Sequence, residues 1–128
     1  MIIVDSSLII DFLRSSPRSL TWFYSLTGLK DDLAVSVLTH TEIFSGKSVW
    51  ENDHAKAEAK DLFSELKIIP LTLEISYQAG EFVAKTNIDI QDAVIAATAA
   101  VTSSSLATLN PKHFSSIPRL TLLKSPTT

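Results

Sequence analysis

Short apolar runs alternate with helix-patterned stretches along this chain, and that alternation does most to restrict the folds open to it. Ile2-Ile3-Val4, Leu33 to Leu38, Lys67 to Leu71, Ser105 to Thr108 and Leu120 to Leu123 read as strands. They are largely apolar rather than strictly alternating, as strands buried on both faces are. Between them the pattern predicts helices over Ser7 to Arg14, Pro17 to Gly28, Thr39 to Phe44, Trp50 to Leu66, Leu73 to Lys85 and Gln91 to Thr102, with Asn87 to Ile90 as a linker. Strands separated by helices pair in parallel through right-handed crossovers. The expected fold class is therefore α/β, a three-layer α/β/α sandwich around a central, mostly parallel five-stranded sheet. The last helix is nearly all Ala, Val and Ile and should be central and tightly packed.

At 128 residues and 45% hydrophobic content, the chain supports one domain with a substantial core. We assign residues 1–124 to it and expect a frayed tail over 125–128. There is no cysteine, so disulfides and thiolate zinc sites are excluded, and the three histidines do not replace them; His40 and His54 lack metal-ligand spacing. The opening residues lack the basic start of a signal peptide, and no run approaches the roughly 18 apolar residues of a membrane span. A soluble, cytoplasmic protein with no membrane association is expected. The net charge of −3 argues against nucleic-acid binding through bulk positive potential, yet divalent cations at an acidic site supply that charge locally.

In open parallel sheets the functional crevice lies beyond the carboxyl ends of the strands. Asp5 ends the first strand, Glu42 lies one turn into the helix after the second, and Thr108 and Asn110 follow the fourth. Asp92 opens the Ala-rich helix, whose amino terminus should face the same rim. Each acid has a purely structural reading: Asp5 as a helix cap, Asp92 as a partner of its helix dipole, and Glu42 as the far half of a capping box over Thr39-His40-Thr41-Glu42. Three carboxylates at one crevice repel one another unless a cation compensates them. Magnesium prefers oxygen ligands and is held by one or two carboxylates plus substrate phosphate oxygens.

Four blocks carry a resemblance: Ile2-Ile3-Val4-Asp5-Ser6-Ser7, Ser36 through Glu42 to Gly46, Asp92-Ala93-Val94-Ile95-Ala96-Ala97, and Thr108-Leu109-Asn110-Pro111-Lys112-His113-Phe114. In order and spacing the chain, from Ile2 to about Leu123, resembles the PIN domain family and, within it, the VapC toxins of toxin–antitoxin pairs. The resemblance implies a Mg2+- or Mn2+-dependent endoribonuclease, with Asp5, Glu42 and Asp92 as catalytic metal ligands that orient a hydrolytic water. Asn110 stands where many relatives carry a fourth acid and is a weaker ligand; Asp89 is a lesser substitute. Ser6 and Thr108 are supporting residues. The resemblance further implies an RNA substrate, a small VapB-like antitoxin covering the crevice, and a homodimer formed through first-half helices, where Trp22, Phe23 and Tyr24 cluster. Lys112 and His113 are expected to be solvated, within reach of a substrate phosphate, while Phe114 packs inward. Alternatives are a stand-alone RNA-processing nuclease and a non-catalytic interaction module of the same fold. A haloacid-dehalogenase-type phosphatase also begins with a strand ending in Asp, but needs a second Asp where this chain has Ser7.

Overall fold

The computed structural model describes residues 1–126. Its four strands are β1 (Ile2–Val4), β2 (Leu33–Ser36), β3 (Lys67–Ile69) and β4 (Ser105–Ala107). They form a parallel sheet in the order β3-β2-β1-β4, with Ile3 beside Ala34 on one side and Leu106 on the other. The helices are α1 (Ser6–Arg14), α2 (Trp22–Thr27), α3 (Val37–Phe44), α4 (Lys47–Glu51), α5 (Asp53–Ser64), α6 (Leu73–Thr86) and α7 (Ile90–Val101). Short 3-10 turns occupy Arg18–Leu20 and Pro111–Phe114.

Strand residues alternate between the two faces, and each face carries its own core. Ile3, Ala34 and Leu106 pack with α6, α7, Phe114 and Ile117. Ile2, Val4, Val35 and Ala107 pack with Leu8, Ile9, Trp22, Phe23, Leu26, Ile43, Ala59 and Phe63 from the other helical layer. Seven consecutive residues of α7, Ala93 to Ala99, are buried. Their small side chains let the helix lie close to both the sheet and α6. A buried side chain such as Ile95 contributes about 1.5–3 kcal/mol, while ion pairs such as Lys85 with Glu81 sit on the exposed surface, where water screens them. Core burial therefore decides the stability.

The three-layer reading holds, with corrections inside it. The sheet has four strands, not five. The stretch from Leu120 to Leu123 reaches β4 only through a parallel bridge between Leu106 and Leu122, held by Leu106 N–H to Thr121 C=O and Leu123 N–H to Leu106 C=O. Just before it the chain turns through Pro118 and a left-handed Arg119 (φ 63°), and only Leu122 is bridged to β4. The helix expected from Pro17 to Gly28 is a 3-10 turn and then α2, because the Thr21 side chain accepts the Tyr24 N–H and restarts the helix there. Trp50 to Leu66 is likewise two helices, α4 and α5, divided where the Asn52 carboxamide accepts the N–H groups of His54 and Ala55. The expected linker is shorter: Asn87 adopts the left-handed conformation (φ 60°) that ends α6, and α7 has begun by Ile90. Of the tail expected to fray, Thr127 and Thr128 lie outside the described residues.

The capping box over Thr39 to Glu42 does not form. Ser36 caps α3 instead, its hydroxyl accepting the Leu38 N–H at 3.1 Å, so Thr39 lies inside the helix. Thr39 is fully buried, and its hydroxyl has no hydrogen-bond partner among the described residues. An unsatisfied buried hydroxyl costs about 1–3 kcal/mol. The near-isosteric Thr39→Val variant is expected to be more stable by about 1 kcal/mol, read as a higher urea midpoint at unchanged m value. A lower midpoint would show that the hydroxyl is satisfied in solution.

Candidate active site

The end of β1 passes into α1 at Asp5, which occupies the capping position of that helix but makes no side-chain cap bond. Its carboxylate turns elsewhere: Oδ2 accepts hydrogen bonds from Ser7 Oγ and Thr108 Oγ1, both at 2.8 Å. Asp5 is only 5% exposed. Ser7 Oγ also accepts the Leu109 N–H at 3.0 Å, and Thr108 Oγ1 accepts the Asn110 N–H at 3.0 Å. Two hydroxyls thus tie the start of α1 to the loop after β4 and fix the acid between them. Ser7, read from the sequence as the start of the first helix and not as a site residue, belongs to the site's support; its signal was the serine doublet following Asp5.

Ser36 hands the chain from β2 into α3, and Glu42 follows in the second turn of that helix, where Ser6 Oγ donates to its Oε2 at 3.4 Å. Ser6 is therefore a partner of Glu42 rather than a helix cap. Asp92 lies in the first turn of α7, and His113 Nδ1 of the second 3-10 turn reaches its Oδ2 at 3.4 Å. His113 is thus drawn to the acids rather than merely solvated, anchored through Phe114, which is buried as expected. Asn110 and Asp89 are exposed. The Asn110 backbone joins the Thr108 hydroxyl, but its carboxamide makes no cap bond to the turn it precedes. Asp89 stands at the capping position of α7, again without a side-chain cap bond.

The electrostatics tie these acids together. Burial raises the Glu42 pKa above its ordinary value; the charges of Asp5, Asp92 and Asp89 push it further, against the Ser6 hydrogen bond. Burial likewise raises Asp92, with Asp5 and Asp89 adding to the shift and His113 opposing it. Asp89 is therefore within electrostatic reach of both. No lysine or arginine ion-pairs with Asp5, Glu42 or Asp92 among the described residues. Nor do any three acidic or histidine side chains there stand close enough to form a ready-made metal cage. The donor set still suits a hard divalent cation: it is oxygen only, partly buried, and short of compensating charge. The remaining histidines do other work. His40 lies among Phe44 and Phe63, and His54 is 3.4 Å from Glu58. Trp22 and Phe23 are core, while Tyr24 is half exposed.

Fold and site together define a class: a small α/β domain with an acidic cleft at the carboxyl edge of a parallel sheet. The chain belongs to the PIN domain family, whose model matches residues 2–120. It is 34% identical to Ribonuclease VapC10 of Mycobacterium tuberculosis, over 98% of this chain and 92% of that protein. It is 30% identical to Ribonuclease VapC19 of the same organism, over 94% and 97%. Among solved structures, VapBC2 from Rickettsia felis bound to a DNA fragment from its promoter superposes with a TM-score of 0.79 at 21% identity, covering 96% of this chain and 98% of that one. A toxin–antitoxin complex from Klebsiella pneumoniae gives 0.77 at 22%, covering 97% of each. At these identities the structural likeness is one of fold. No helix among the described residues is long and apolar enough to cross a membrane.

Proposed function

We propose that this chain is a metal-dependent endoribonuclease that hydrolyses RNA phosphodiester bonds, acting as the toxin of a toxin–antitoxin pair. The observation that carries the reading is the electrostatic coupling of Asp5, Glu42 and Asp92, which come from three crossovers and, among the described residues, have no basic ion-pair partner beyond His113. Asp5, Glu42 and Asp92 would hold Mg2+ or Mn2+, with Asn110 and Asp89 at the periphery. Such an ion supplies charge neutralisation at the phosphate and lowers the pKa of bound water. The chain's own residues contribute placement. Ser7 and Thr108 orient the Asp5 carboxylate, Ser6 orients Glu42, and His113 holds Asp92. No side chain has to act as a covalent nucleophile.

The ribonuclease names of the two mycobacterial relatives support the RNA substrate. The solved toxin–antitoxin complexes sharing this fold support a small VapB-like antitoxin as partner. The reading includes a cytoplasmic location and a homodimer, for which exposed Leu20 and half-exposed Tyr24 leave apolar surface on the first-half helices. Metal removal tests the centre of it. Purified protein with Mn2+ is expected to fragment total RNA, to stop on chelation, and to resume when Mn2+ is restored. Undiminished cutting after chelation would refute the metal requirement, and intact RNA throughout would refute the ribonuclease.

A further inference from the structure

A groove of about 240 Å³ leads away from the acidic cleft, with Glu42 as the residue common to both. One wall is a stripe of α1, Ile10, Leu13 and Arg14, spaced to lie on a single helix face. Ile43, Gly46, Ser48 and Val49, from the end of α3 and the turn into α4, line the groove as well. Arg18 and Glu58 also line it. The whole sequence holds three arginines in a chain of net charge −3, and two of them line this groove.

The two arginines are not equivalent. Arg18 donates to the Glu58 carboxylate, and its other terminal nitrogen donates to the Leu13 C=O at 3.0 Å, so its charge is neutralised and its position fixed. Arg14, exposed in the last turn of α1, has no carboxylate partner among the described residues. A planar guanidinium free of an ion pair among the described residues, in a groove continuous through Glu42 with the acidic cleft, has the chemistry of a phosphate contact.

We infer that this groove carries the RNA strand flanking the scissile bond, with Arg14 gripping a backbone phosphate next to the one that is cut. The inference rests on the ribonuclease reading and adds the path of the substrate. An acid-rich protein recruits phosphates locally, so the cation that does so must be unpaired and close to the cleft. Arg14 meets both conditions, and Arg18 meets only the second.

The test measures binding of short random-sequence single-stranded RNA to the cleavage-impaired Asp5→Asn protein, and KM for cleavage by the otherwise unaltered chain. Arg14→Gln is expected to weaken binding and raise KM about tenfold and to lower the salt slope of binding by about one. Arg14→Lys should restore most of the loss. Mn2+ affinity, measured by calorimetry without RNA, should not move. Lys60→Gln, which removes an exposed cation from α5 outside the groove, should bind RNA as its parent does. The inference is overturned if Arg14→Gln matches its parent, if Lys60→Gln weakens binding equally, or if Arg14→Gln weakens only a protein partner. Failure of the parent to bind any RNA would instead remove the ribonuclease reading itself.

Discussion

Asp5→Asn is expected to lower the initial rate of RNA cleavage about 10³-fold at saturating Mn2+, since loss of a ligand charge forfeits several kcal/mol of metal-based stabilisation. The fold should survive. Asp5 Oδ2 receives two hydroxyl hydrogen bonds, from Ser7 and Thr108, and a hydroxyl is an acceptor as well as a donor. An asparagine amide placed there can donate to the same two oxygens after each hydroxyl has rotated. The substitution therefore removes the charge while keeping the bridge between α1 and the loop after β4. Far-UV circular dichroism and the urea midpoint should stay close to the parent's. A variant that cuts at more than a tenth of the parental rate would remove Asp5 from the catalytic set.

Mn2+ at about 100 times its Kd should raise the melting temperature of the parent near neutral pH by roughly 10 °C, corresponding to about 2.7 kcal/mol of linkage in a domain of this size. In Glu42→Gln the gain should be much smaller, while the metal-free variant should melt above the metal-free parent. Burial, followed by the charge of Asp5, raises the folded-state pKa of Glu42; burial, with Asp5 and Asp89 adding, raises that of Asp92. A carboxyl raised in the folded chain stabilises the fold below its ordinary value, 4.5 for Glu42 and 3.8 for Asp92. That contribution is lost as pH rises through the folded-state value. At neutral pH the metal-free protein therefore carries the repulsion in full, which the glutamine removes and the cation offsets. Scanning calorimetry from about pH 4 to 8 with and without Mn2+ reads both effects. Equal metal-induced gains in parent and variant would mean that Glu42 is not a ligand.

The layers of this fold were legible because strands buried on both faces leave unbroken apolar runs, and α7 announces itself through its small residues. What misled was cap chemistry competing with periodicity. Thr21 and Asn52 each restart a helix inside a stretch whose apolar spacing reads as continuous, and Ser36 captures the start of α3 three residues before Thr39 offers its own pattern. The expected fifth strand shrank to a single bridge at Leu122, because one alignment with β4 at the sheet edge does not build a ladder. Asp5 and Glu42 stood out by following strands, and Asp92 by opening α7. Ser6 and Thr108 were named as supports, but which acid each one holds, and the parts of Ser7 and His113, depend on contacts that only the folded sheet closes. Arg14 escaped for a similar reason: what distinguishes it from Arg18 is the absence of a partner on a distant helix.

The placement of β1 has a consequence for timing. The first of the four strands in sequence lies inside the sheet, and its hydrogen bonds to β4 and the Thr108–Asp5 contact span 103 positions of sequence. Such long-range closures are slow and come late. A nascent chain stalled before Ser105 has β2 to pair with β1 but lacks its other neighbour, β4, and the Thr108 hydroxyl that orients Asp5. Such a chain carries Asp5, Glu42 and Asp92 without the loop that fixes the first of them, so the acidic cleft is assembled only once β4 has docked.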